Sequence, residues 1–165
     1  MSEELLPSFA AIPSGDFVMG ADEGADDERP SRAVHVDAYH VSMHAITVDQ
    51  YAVFARETEH PPPALRALPL VVTASHELQF RELAAPYVWR SGEPPRDRGR
   101  HPVTLVTHAD ALAYCRWLSV RIGQLVRLPT EAEWGGRRAA ASSGAAIRGA
   151  TTSTGRAATS CPIRP

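Results

Sequence analysis

The chain has 165 residues, 44% of them hydrophobic and 22% charged, with a net charge of −2. Those proportions fit one globular domain, or a domain and a tail, and exclude wholesale disorder; the near-neutral charge argues against a dedicated nucleic-acid or anionic-membrane binder. No apolar run is long enough to span a bilayer, and two cysteines, Cys115 and Cys161, cannot build a disulfide framework. Met1 to Leu6 carries Glu3 and Glu4 and no basic segment of a secretory signal, so a cytoplasmic location is expected.

In chain order, Asp16 to Met19 reads as a short strand between glycines. Ala21 to Arg32 is an acidic loop, and Ala33–Val36 and Tyr39–Ser42 alternate apolar and polar residues as strands do. Thr47 opens a helix, with Gln50 placed to complete a capping box. Val48, Tyr51, Ala52 and Ala55 then share one face. Residues 60–103 hold eight of the 14 prolines and read as a long surface excursion with a short helix near Glu77 to Leu83. Thr107 and Asp110 cap a second helix over 108–122, whose apolar face is Ala111, Tyr114, Cys115, Leu118 and Ile122, and which Gly123 ends. Val126 to Leu128 reads as a strand. Thr130 and Glu133 then form a third capping box, but Gly135 and Gly136 follow, each about 1 kcal/mol worse than Ala in a helix. Local signals conflict there.

The composition also breaks at that point. Twelve of the 17 basic residues and all 19 acidic ones precede position 135, so residues 1–134 carry −7 and residues 135–165 carry +5. The last stretch holds 8 Ala, 5 Gly and 5 Arg, with no aromatic, acidic, His, Leu or Val residue. A core is not expected from it, because it offers little apolar area against a backbone ordering cost of roughly 1–2 kcal/mol per residue.

Arg127-Leu-Pro-Thr-Glu-Ala-Glu-Trp134 resembles the signature of the formylglycine-generating enzyme, or sulfatase-modifying factor, family. Four further stretches agree in order. Ile12-Pro13, Gly15, Phe17 and Met19-Gly20 are similar to the family's opening; Asp27-Glu28-Arg29-Pro30, His35, Val36 and Tyr39 to its second motif; Ile46-Thr47-Val48, Gln50-Tyr51 and Phe54 to its third. His101-Pro102-Val103 and Asp110-Ala111 through Trp117 are similar to the fourth, with His108 in place of Trp; in the third, Asp49 stands where the family often has Asn. The resemblance covers residues 9–134. It implies an α+β, irregular, C-type-lectin-like fold, here truncated; the composition sets residues 135–165 apart as a low-complexity tail, disordered or frameshifted. It further implies that intact members oxidise a sulfatase cysteine to formylglycine on copper bound by two cysteines, with calcium stabilising the fold. Those cysteines and most calcium ligands belong to the family's C-terminal half, and no residue of this chain matches them. Neither catalytic nor metal residues are therefore expected here, nor a cofactor on this chain. The intact form would act on a protein or peptide substrate, with no nucleic-acid or membrane partner. The alternatives are a non-catalytic lectin-like binding module and a fragment of an iron-dependent sulfoxide synthase-type relative.

Weighed as chemistry, Cys115 lies on an apolar helix face and reads as packing. Nothing in sequence would activate Cys161. His40 and His44 have ligand spacing only on a helix, whereas their segment reads as strand, and His35 joins neither. Asp22, Glu23, Asp26, Asp27 and Glu28 lack the rhythm of a calcium loop. Glu131 and Glu133 are explained by capping and the helix dipole, and Trp89, Trp117 and Trp134 by the core.

The tail also reads in another frame. The basic residues are all Arg, a mark of GC-rich coding. With synonymous codons chosen for Gly135 to Ala140 and one base inserted in codon 135, the same bases spell Glu-Trp-Ala-Ala-Arg-Gly, close to the family's continuation. In that frame Ile147 to Ser160 can spell His-Pro-Trp-Gly-Asp, which is close to its next landmark. A one-base deletion at codon 135 is the expectation.

Overall fold

A computed structural model of the chain describes residues 5–23, 25–65, 74–142 and 162–163. Strands β1 (Phe9–Ile12) and β4 (Tyr39–Ser42) pair antiparallel, with Ile12 opposite Tyr39 and Phe9 opposite Ser42. Strand β5 (Pro162–Ile163) adds to the other edge of β4, Ile163 opposite His40. Strands β2 (Gly15–Met19) and β3 (Arg32–Val36) form a separate antiparallel pair. Period-two alternation puts Phe17, Met19, Val34 and Val36 on its half-buried face and Asp16, Val18, Ala33 and His35 on its exposed face. The strand expected over 16–19 thus starts one residue earlier, and β1 is a strand the sequence reading did not separate from it.

Helices α1 (Val48–Thr58) and α3 (His108–Ile122) carry both expected capping boxes. Thr47 Oγ1 accepts from the Gln50 N–H at 3.3 Å, and Thr107 Oγ1 from the Asp110 N–H at 3.2 Å. The other free donors at the start of α1 are met by the loop before α3. Val48 N–H donates to His101 O and Asp49 N–H to Gly99 O, both at 2.9 Å, while Val103 N–H donates back to Ile46 O at 2.9 Å. These contacts join His101-Pro102-Val103 to Ile46-Thr47-Val48. Gly123 ends α3 at φ 69°, a conformation open to glycine without strain.

The main core lies between these helices: Ile46, Val48, Tyr51, Ala52, Phe54, Trp89, Tyr114, Cys115, Leu118 and Val126. Tyr51 stacks on Tyr114 with ring centroids 5.9 Å apart, and Phe54 meets both edge-on. Phe54 takes the place expected for Ala55, which is half-buried, as is Ile122. A smaller cluster of Ile12, Tyr39 and Val41 lies beneath the first sheet.

Two expectations need correction. The short helix placed near Glu77 to Leu83 is part of a longer α2 (Ala74–Ala84). Over 126–128 the described pairing is a single β-bridge at Val126 and not a strand. The Ser119 hydroxyl accepts from the Val126 N–H at 2.8 Å and donates to the Cys115 carbonyl at 2.7 Å, with the Val126 carbonyl 3.1 Å away.

The conflict at Gly135-Gly136 resolves in favour of the cap: α4 (Glu131–Ser142) runs through both glycines. The helix packs on β2 and β3, and the Phe17 ring occupies the space side chains would need. A Cβ on Gly135 would lie 2.9 Å from Phe17 Cε2, and one on Gly136 3.3 Å from Cε1. Of the stretch 135–165, residues 143–161 and 164–165 lie outside the described residues.

Candidate functional site

The signature residues sit where the loop from α3 turns into α4. Thr130 caps the helix: its Oγ1 accepts from the Glu133 N–H at 3.2 Å, and the Glu133 carboxylate accepts from the Thr130 N–H at 2.8 Å. Arg127 grips the same carboxylate with both ends of its fork, Nη1 to Oε2 at 2.7 Å and Nη2 to Oε1 at 2.5 Å. Nη1 also donates to the Leu128 carbonyl at 3.0 Å. The Tyr39 hydroxyl donates to the Glu133 carbonyl and so ties α4 to β4. Glu133 is 5% exposed. The Arg127 hydrogen bonds hold its carboxyl below the usual range against the opposing effect of burial, and Glu133 in turn raises Arg127. Burial, then the Glu133 charge, pushes Tyr39 up to about 12. With donors on both its oxygens, this carboxylate has no proton to exchange near neutral pH. The arrangement is a clamp that fixes the start of α4.

A second polar group caps α3. Asp110 accepts from the Thr107 N–H and hydroxyl, each at 2.8 Å, and its Oδ1 lies 2.8 Å from His60 Nε2. Burial alone would raise the Asp110 pKa; the Thr107 and His60 hydrogen bonds outweigh it and lower it. The His60 ring rests on Phe54 at 4.8 Å.

A third lies on the exposed face of the β2–β3 pair. His35 Nδ1 is 2.6 Å from Asp16 Oδ1, and its Nε2 is 3.2 Å from Ser14 Oγ and 3.9 Å from Asp37 Oδ1.

The candidates read from sequence fall elsewhere. Cys115 is 2% exposed in the core, and Cys161 lies outside the described residues. His40 is exposed on β4 and His44 beyond its end, whereas His35 meets Asp16 instead. Asp22 accepts from the Ser31 hydroxyl at 2.7 Å and N–H at 2.9 Å, bonds that lower its pKa and close the acidic loop. Glu23, Asp26, Asp27, Glu28 and Glu131 are exposed. Among the described residues, no three His, Cys, Asp or Glu side chains converge as metal ligands would. Trp89 is buried, Trp117 donates to Glu57 Oε2 at 3.0 Å, and Trp134 lies under the Arg137 guanidinium at 4.6 Å. Sequence reasoning missed Tyr39, His60, Ser14 and Asp16. For Asp16 a signal existed, since pairing the two strands by their alternation sets it opposite His35.

The order of the motifs along this scaffold matches a known domain. A family model described as sulfatase-modifying factor enzyme 1-like domain matches residues 2–158. The chain belongs to that family. It is 34% identical over 144 residues to the formylglycine-generating enzyme of Streptomyces coelicolor, covering 74% of this chain and 44% of that protein. It is 31% identical over 147 residues to the inactive Cα-formylglycine-generating enzyme 2 of Mus musculus, covering 78% and 46%. The chain thus spans about half the length of the curated relatives it matches. The solved structure of PvdO from Pseudomonas aeruginosa shares the fold over 94% of this chain and 55% of its own, with a TM-score of 0.56 at 22% identity. This α+β family domain mixes two small sheets with helices. Among its described residues no helix is long and apolar enough to cross a membrane.

Proposed function

We propose that these residues supply the scaffold portion of a formylglycine-generating-enzyme-type domain, and that the chain alone does not carry out the oxidation. The burial of Cys115 carries this reading. Copper-linked oxidation of a substrate thiol needs accessible thiolates. Cys115 instead packs on α3 in one cluster with Tyr51, Tyr114 and Leu118, at 2% exposure. The described residues therefore do not fit a copper site, and the acidic loop, with Asp22 committed to Ser31, does not fit a calcium site. In the intact form the partner would be a protein or peptide bearing a sulfatase-type cysteine, in a cytoplasmic setting.

Thiol labelling followed by peptide mass spectrometry tests the assignment. Cys115 should be modified only as fast as the protein unfolds. Rapid modification under native conditions would overturn it.

A non-catalytic member of the family is the second reading, compatible with the 31% identity to the inactive mouse protein. Residues 135–165 enter the proposal as an out-of-frame continuation, supported by the two family landmarks that the shifted reading can spell. Restoring the frame would put Glu and Trp at positions 135 and 136, against the Phe17 ring, which would have to swing away. Sequencing the coding DNA across codon 135 decides this: an intact frame whose shifted translation lacks both landmarks would refute it.

A further inference from the structure

Ser14, His35 and Asp16 stand in the order nucleophile, base and orienter. Ser14 Oγ lies 3.2 Å from His35 Nε2, and His35 Nδ1 lies 2.6 Å from Asp16 Oδ1. That is the hydrogen-bond chain that activates a serine hydroxyl, recognised by geometry and not by position in sequence. The ladder holds it: Asp16 and His35 face each other directly in the β2–β3 register, and Ser14 immediately precedes β2. With Asp16 accepting from Nδ1–H, the lone pair on Nε2 is left to accept the Ser14 proton. Asp37 Oδ1, 3.9 Å from Nε2, is the one other carboxylate paired with this ring among the described residues.

We propose that Ser14 is an activated nucleophile which small, activated carboxylic esters acylate. The site is open, with Ser14, Asp16 and His35 all exposed, so it would select by reactivity and not by shape. Ser14 Oγ attacks the ester carbonyl carbon as its proton passes to His35 Nε2. The carbon–oxygen bond to the leaving group then breaks, and the leaving group takes the proton from His35. Water, deprotonated by His35, attacks the acyl-serine and releases the carboxylic acid, returning the proton to Ser14. Asp16 is a positioning residue, acting only through the imidazole.

The test uses the full chain with p-nitrophenyl acetate, following nitrophenol release and locating the acetyl group by peptide mass spectrometry. The expected result is an acetyl adduct on Ser14 and a release rate that falls at least about tenfold in S14A and in H35Q. That is below the 10²–10⁴ a positioned base provides in enclosed sites, because water surrounds this one. In D16N the rate should fall, and the nitrogen NMR signals of the His35 ring should show loss of the Nδ1–H tautomer, with D16E restoring both. Acetylation spread evenly over surface serines would overturn the proposal. So would release unchanged in S14A, with His35 acting alone, or a rate indifferent to H35Q in a folded variant.

Discussion

Arg127 holds both carboxylate oxygens of Glu133, a residue that also completes the cap of α4 and whose carbonyl receives the Tyr39 hydroxyl. One acidic side chain thereby joins the loop after α3, the start of α4 and, through its backbone, strand β4. Breaking a buried, fully bonded pair by removing one partner leaves the other charge uncompensated and typically costs about 3–5 kcal/mol. Arg127 is 28% exposed and can recover some water, so E133Q should cost about 2–3 kcal/mol. Urea or thermal unfolding measures it. A change under about 0.5 kcal/mol would mean that the clamp is ornamental.

The same pair sets an acid limit. Arg127 lowers the folded-state carboxyl pKa of Glu133, so its stabilisation is complete above the ordinary carboxylate pKa, about 4.3. It is lost as pH falls from there through the depressed folded value. Asp110 is shifted the same way. Melting temperature should hold between pH 7 and 5 and drop steeply below about pH 4. E133Q should show a shallower drop, with the remaining slope due to Asp110 and the other lowered carboxyls, Asp22 and Glu57.

Helix ends give a paired prediction. Glu59 caps α1 at φ 54° and is exposed, while Gly123 caps α3 at φ 69°. A side chain there strains the backbone, and a carboxylate at a helix C-terminus also opposes the dipole. E59G should stabilise by about 0.5–1 kcal/mol and G123A should destabilise by about 1 kcal/mol. Opposite signs in one thermal series check both.

Gly135 and Gly136 should respond differently to alanine. Each substitution gains about 1 kcal/mol of helix propensity. At Gly136 the new Cβ would be 3.3 Å from the Phe17 ring, so a shift of a few tenths of an ångström suffices and G136A should raise the melting temperature. At Gly135 the distance is 2.9 Å and the ring must move, which should cancel the gain in G135A. Equal rises at both positions would show that Phe17 is not seated on α4.

Local rules carried the helices. Thr47 with Gln50 and Thr107 with Asp110 are contacts within one turn, so the starts of α1 and α3 could be read directly from spacing. Tyr39–Ser42 was legible from alternation. What escaped depends on residues distant in the chain. Nothing near Gly135 reveals that the Phe17 ring lies where a side chain there would go. The same holds for the polar clusters: His60 and Asp110 are 50 positions apart, and Tyr39 and Glu133 are 94 apart. The family motifs succeeded because they store such distant pairings as an ordered set.

The most direct test incubates the purified chain, in aerated buffer with copper, with a peptide carrying a sulfatase active-site cysteine, beside a full-length relative as a positive control. Mass spectrometry reads conversion of the thiol to the aldehyde. The relative should convert the peptide, and this chain, with Cys115 enclosed in its core, should leave it unchanged. Conversion by this chain, abolished by replacing Cys115 or Cys161, would contradict the scaffold assignment.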